Sequence, residues 1–145
     1  MMAEIRTYQL LNMERQPVRQ HISLEFGEVE NDHYIKVLDG DAMDHRNYVE
    51  WTSNVALTKI RKELEQNSLL IAIAGSLIYA RFSRMCLEHG GYHGYNYKEF
   101  DGESIPASIF AFDEVEPSEY PYIATLEQQR DYDFRDENRF RLLSI

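Results

Sequence analysis

An α+β fold, with two central helices packed on a small, mostly antiparallel sheet, is predicted by three features of the chain. Short runs of alternating apolar residues flank the middle third, an amphipathic stretch occupies it, and turn residues separate the alternating runs. The 145 residues suit one domain over 1–145, since no repeat, low-complexity block or linker divides them. A chain of this size buries roughly 70% of the surface its unfolded form exposes. Seven Phe and ten Tyr supply large side chains for the core.

The opening segment, "EIRTYQLLNMERQP", reads equally as strand or helix, with Pro17 ending either. From Gln20, "QHISLEFGEV" places Ile22, Leu24 and Phe26 on one face, "ENDH" offers a turn and "YIKVLDG" a second run, which together signal a β-hairpin. From Asp44 the period lengthens: Val49, Ala56, Leu57, Ile60 and Leu64 form an i, i+3, i+4 stripe, broadened by Trp51 and Val55. Asp41 or Asp44 is the expected N-cap, and "EQNS" at Glu65–Ser68 the expected stop.

The next stretch could open as a buried strand, but the helical template reaches further. Ile71, Ala74, Ile78, Phe82 and Met85 recur at three and four, which predicts a second helix over Leu69–Leu87 with Cys86 packed near its apolar stripe. His89, Gly90 and Gly91 would stop that helix, glycine reaching the left-handed conformation without a Cβ clash. A second hairpin is expected beyond, from alternating Tyr95 and Tyr97, a turn at "FDGE", and Ala107–Asp113 with Phe110 and Phe112 sharing a face. Gly94 suggests a bulge or a close backbone approach. After Pro117 and Pro121 the chain turns polar and aromatic, and it finishes apolar at Leu142, Leu143 and Ile145, as an edge strand or a docked tail.

The formal charge is −10 and is unevenly spread: residues 1–91 carry 10 basic and 13 acidic side chains, residues 92–145 carry 5 and 12. A field of that sign repels nucleic-acid backbones and speeds encounter with basic proteins. It also serves plain solubility. The lone Cys86 gives no reason to infer an oxidising compartment. The start of the chain has no secretory pattern, and the greasiest window, Leu69–Ala80, is twelve residues long where a bilayer span needs about 20. A cytoplasmic protein with no membrane association is therefore expected.

Catalytic and metal signatures compare poorly with structural readings. His89 and His93 have the four-residue spacing of a helical metal pair, but two glycines intervene, so a cap and a turn account for them with fewer assumptions. "DGDAMDH", Asp39–His45, gathers three carboxylates, which serve a cap better than a calcium loop whose twelfth position would fall on Glu50. Cys86 near His89 suggests a thiolate pair, yet cysteine beside Phe82 and Met85 packs as a small hydrophobe. Ser76 in "AGSLI" lacks the glycines of a nucleophile elbow, and no phosphate loop or dinucleotide fingerprint is present. No cofactor is expected.

What remains is an acidic, aromatic run. Asp113, Glu114, Glu116, Glu119, Tyr120, Tyr122, Asp131, Tyr132 and Asp133 combine carboxylates with interface-prone tyrosines, a set suited to a basic groove. Arg130, Arg135, Arg139 and Arg141 could instead neutralise it locally.

The segment "LIYARFSRMCLEHGGYHGYNY", Leu77–Tyr97, resembles the core motif of the ArdB/KlcA-type antirestriction proteins of plasmids and phages: an apolar helix carrying an aromatic-Ala pair, an Arg and a Cys, then a Gly-Gly turn and an aromatic strand. Tyr79, Ala80, Arg84, Cys86, Gly90, Gly91, Tyr92 and Tyr95 fill comparable places. The chain departs from that pattern after the turn, where "HGYNYKEFDG" replaces the family's Trp and Asn-Gly-Gly. The resemblance implies a small acidic mixed α/β protein that antagonises DNA restriction, and it assigns no catalytic residue.

Together these readings predict a non-enzymatic inhibitor of a basic, nucleic-acid-acting protein: a restriction, CRISPR-type or other defence enzyme, or a nuclease toxin for which this is the immunity protein. Direct nucleic-acid binding is not expected. The alternatives are a ligand- or metal-binding or catalytic domain with a pocket around His89, His93, Tyr95 and Tyr97, or a structural subunit of an assembly.

Overall fold

The computed structural model describes residues 3–39, 43, 46–100, 103 and 105–132. The opening segment is strand: β1 (Glu4–Leu11) pairs antiparallel with β2 (Pro17–Val29), from Glu4 opposite Phe26 to Leu11 opposite Pro17. Asn12 settles the ambiguity by closing the connection. Its Oδ1 accepts from the backbone N–H groups of Glu14 and Gln16, both at 3.0 Å, and Arg15 takes the left-handed φ of 62°. Pro17 thus opens a strand at its first residue, where no ladder hydrogen bond is needed from it.

The expected hairpin follows, with β3 (Asp32–Asp39) antiparallel to β2 and a turn at Glu30 and Asn31. Ile22, Leu24 and Phe26 are fully buried on one face, as their alternation predicts. The chain then forms β4 (Asn47–Glu50) on the outer side of β3, so the amphipathic helix α1 starts only at Ser53 and runs to Gln66. This corrects the expected N-terminus: Thr52, not Asp41 or Asp44, is the N-cap, and Val49 and Trp51 lie outside the helix. Asp41 and Asp44 are outside the described residues. Two hydrogen bonds anchor the true start, from the Ser53 backbone N–H (2.8 Å) and hydroxyl (2.6 Å) to the carbonyl of Gly90. Ala56, Leu57, Ile60 and Leu64 are buried as the stripe requires, and the stop after Gln66 agrees with "EQNS".

The second long helix does not form. Leu69–Leu87 instead contains β5 (Leu70–Ile71), a 3-10 turn (Ala74–Ser76), β6 (Ala80–Arg81) and the start of a five-residue helix, α2 (Arg84–Glu88). Every residue from Leu70 to Ala80 is buried, so apolar residues recur at every spacing and helical periodicity carries no information there. Gly75 fixes the outcome: its N–H donates to the Ala111 carbonyl at 2.8 Å, and an added Cβ would lie 3.2 Å from Leu57 Cδ2. A helix would withdraw those backbone groups from their cross-chain partners. α2 lies at the surface with no buried residue, and Met85 is 67% exposed, which corrects the placement of Cys86 on a buried stripe.

Gly90 (φ 100°) and Gly91 (φ 76°) do terminate α2, the Gly91 N–H donating to Cys86 O at 2.9 Å. Then β7 (His93–Asn96) and β8 (Ala107–Phe110) pair antiparallel, as expected, with β6 on the other side of β7. Gly94 is a close approach, since a Cβ there would sit 2.5 Å from the Arg81 carbonyl oxygen. Asp101 and Gly102 of "FDGE", like the apolar end Leu142–Ile145, lie outside the described residues. A 3-10 turn (Pro117–Tyr122) and a last helix, α3 (Leu126–Asp131), complete the fold.

The described residues thus form an α+β arrangement of two antiparallel sheets, ordered β4-β3-β2-β1-β5 and β6-β7-β8. The first core lies between the five-stranded sheet and α1, and includes Tyr92 and Phe112; Phe112 stacks on Phe26 with ring centroids 4.1 Å apart. The second gathers Leu11, Leu70, Leu77–Ala80, Ile123, Ala124 and Tyr132. Among the described residues no helix is long and apolar enough to cross a membrane.

Candidate functional site

The acidic aromatic run behaves largely as a strap across the second core. Tyr132 is buried, its carbonyl accepts from Arg81 Nη2 at 2.8 Å, and the Arg81 guanidinium lies 5.2 Å from its ring centroid. Tyr120 and Tyr122 are half-buried against the same cluster. Glu119 is tied down twice: Lys98 Nζ donates to its Oε1 at 2.7 Å and the Tyr79 hydroxyl to its Oε2 at 2.5 Å. Burial alone would raise the Glu119 carboxyl, but those two hydrogen bonds and the Lys98 charge outweigh it and hold the group below the ordinary carboxylate range. Lys98 also stands 4.8 Å from the Tyr122 ring centroid.

The remaining carboxylates point outward. Asp113 accepts from Arg6 Nη1 at 3.0 Å and Asp131 from Arg130 Nε at 3.3 Å, in exposed pairs of small energetic weight. Glu114 and Glu116 are exposed and make no ion pair among the described residues. Asp133 is outside the described residues.

The histidine pair is divided between elements. His89 is the exposed C-cap of α2, whereas His93 opens β7 and packs its ring against Phe110 at 5.2 Å. Tyr95 and Tyr97 are half-buried. Among the described residues no group of three or more His, Cys, Asp or Glu side chains is placed to hold a metal ion. Cys86 is partly buried, with the Ser83 hydroxyl 3.2 Å from its Sγ. Ser76 is buried and its hydroxyl makes no hydrogen bond among the described residues.

Where sequence reasoning looked past a feature, the structure builds a concave anionic cleft of about 300 Å³ between the β2–β3 turn and the end of α2. Glu28, Glu30, Asp32 and Glu88 line it, with His33 and His89. Tyr92 ties the two strands beside it, its hydroxyl donating to the Gly27 carbonyl at 3.1 Å and meeting His33 Nδ1 at 2.8 Å. Burial pushes the Tyr92 phenol up to about 12, so it stays a donor across the physiological range. Glu30 and Asp32 are exposed and make no ion pair among the described residues. Three of the cleft's carboxylates lie close together in the sequence, in "GEVENDH", but Glu88 reaches them from 56 residues beyond Asp32.

No family model matches this chain, and no curated protein matches it at a significant level.

Proposed function

We propose that this chain is a non-enzymatic inhibitor that occupies the basic surface of a nucleic-acid-acting protein in the cytoplasm. The target is a restriction, CRISPR-type or other defence enzyme of a bacterial host, or a nuclease toxin to which this chain confers immunity. One observation carries the reading: Glu30, Asp32, Glu114 and Glu116 are exposed without an ion pair among the described residues of a chain with formal charge −10. Carboxylates left unmatched at a surface are available to guanidinium and ammonium groups that otherwise grip phosphates. The resemblance of Leu77–Tyr97 to the antirestriction proteins points to the same class of target.

The test is titration of the purified chain into DNA cleavage by a type I restriction complex, a CRISPR nuclease and a secreted DNase. Inhibition that saturates at a fixed stoichiometry and weakens with salt supports the reading. The variant carrying Glu30→Lys, Asp32→Lys, Glu114→Lys and Glu116→Lys should lose it while melting at an unchanged temperature. Undiminished inhibition by that variant at moderate salt overturns the reading.

A further inference from the structure

We propose that the outer edge of β4, with Val49 and Trp51, is a docking edge to which a basic partner adds an extended strand. This deepens the proposed function by naming the surface and the conformation of the partner segment, and it rests on that reading. β4 ends the five-stranded sheet. Val37 N–H donates to Arg46 O at 2.9 Å, and the rungs pair Lys36 with Asn47 and Tyr34 with Val49. In an antiparallel ladder bonded and non-bonded rungs alternate, so Arg46, Tyr48 and Glu50 turn their backbone groups toward β3. Those of Asn47 and Val49 point away from the sheet, and no described residue takes them up.

An edge of this kind is a template for strand addition unless it is covered or charged. Here it carries apolar anchors. Val49 is 46% exposed and Trp51, immediately beyond the strand, 53% exposed; Val29 and Ile5, on the outer face of the same sheet, are 43% and 62% exposed. Val29 lies at the same end of the sheet as Trp51, since it pairs with Asp32, whereas Ile5 is on β1, three strands from the edge. Tryptophan is the residue type most enriched at the energetic centre of interfaces.

Charge selects the occupant. The last rung pairs His33 with Glu50, which sets Asp32 and Trp51 one residue further along neighbouring strands, at the end of the sheet where Glu28, Glu30 and Glu88 form the cleft. Lys59 already takes Glu50 and Arg84 takes Glu88, so the carboxylates without an ion pair among the described residues at this end are the exposed Glu30 and Asp32, and a Lys- or Arg-bearing strand would match them and meet the face of an indole.

Trp51 is the sole tryptophan, so its fluorescence reports on this edge directly. The probe is a capped heptapeptide of alternating Lys and Val, compared with an alternating Glu and Val peptide and with a Lys-Val peptide N-methylated at every central residue. The basic peptide should shift the emission to the blue with saturation and slow hydrogen exchange at the Val49 amide; the other two should do neither. Val49→Pro removes only an outward N–H and leaves the β3 ladder its donors, and it should weaken the basic peptide roughly tenfold. Equal binding of the N-methylated peptide, or an unchanged affinity of Val49→Pro, overturns strand addition and leaves the proposed function standing on charge alone. A blue shift that grows with protein concentration and needs no peptide also overturns it, because the occupant is then a second copy. Inhibition of cleavage lost in the four-site charge variant while the edge behaves in these ways separates the two conclusions.

Discussion

Replacing Gly91 by Ala should be among the most damaging single changes available to this fold. Gly91 holds φ at 76°, and a Cβ there would lie 2.5 Å from Thr52 Oγ1, 2.9 Å from the Asn54 backbone nitrogen and 3.0 Å from Asn54 Cβ. Two of those atoms belong to the backbone and root of α1, so relief requires the first turn of that helix to shift. Left-handed backbone for alanine costs about 1–2 kcal/mol. Shifting the turn endangers the two hydrogen bonds from Ser53 to Gly90 O, each worth about 0.5–1.5 kcal/mol. Alanine also stiffens the unfolded chain, which offsets about 0.4–1 kcal/mol of that loss. A net loss of about 2–4 kcal/mol follows from these terms together. With a urea dependence of about 1–3 kcal/mol per molar, the unfolding midpoint should fall by about 1–2 M. Gly91→Asn separates the causes: asparagine tolerates the left-handed region, so it should recover the backbone part and none of the steric part. A Gly91→Ala midpoint within about 0.3 M of the parent would refute the claim that this glycine sets the contact between α2 and α1.

Other outcomes follow from single contacts. Tyr8 is fully buried and its hydroxyl donates to Phe112 O at 2.6 Å, so Tyr8→Phe should cost about 1–2 kcal/mol in urea unfolding, tempered by the second donor to that carbonyl, Arg6 Nη1 at 3.4 Å. Gln129 Nε2 donates to Gly75 O (2.9 Å) and Leu77 O (2.8 Å) while its Oε1 accepts from buried Arg61 (2.7 Å); Gln129→Ala should cost about 2–4 kcal/mol, with faster hydrogen exchange through the Ala74–Leu77 turn. Glu119 has a depressed folded-state pKa, so its contribution is present above the unfolded value near 4.3 and is lost as pH falls through the folded one. Glu119→Gln should therefore flatten that part of the acid limb of a stability-versus-pH curve. Lys98 has the opposite sign: the hydrogen bond to Glu119 raises its pKa, against the effect of burial, and its contribution is full below the unfolded value and lost as pH rises through the folded one. The same Glu119→Gln series measured above pH 9 should lose that alkaline decline.

The sequence carried those elements whose evidence is local. Ile22, Leu24 and Phe26 alternate so regularly that only one register hides all three, and the structure uses it. Ala56, Leu57, Ile60 and Leu64 could share a face only on a helix, and they do. Gly90 and Gly91 terminate a helix, and Gly94 marks a close approach, because a missing Cβ is legible without knowing what fills the space. The periodic stripe overreached at Val49 and Trp51, which fit its spacing but belong to an edge strand and the bend after it, since pairing with β3 competes successfully with helix formation. Nor was the cleft apparent, because Glu88 and His89 meet Glu28–His33 only through the contact of α2 with the β2–β3 turn.

By itself, then, the amino-acid order determined the alternating strands, the amphipathic helix and the turns, because each depends on residues within a few positions of one another. Tertiary structure alone decided what Leu69–Leu87 becomes. A stretch that is apolar on all sides buries equally well as helix or strand, and the choice falls to distant backbone partners: Ala111 and Asp113 for the 3-10 turn, Tyr122 for Ile78, and β1 for Leu70 and Ile71. The same holds for the acidic run after Phe112, where the division between outward carboxylates and a buried strap depends on where Lys98, Tyr79 and Arg81 are delivered by the rest of the chain.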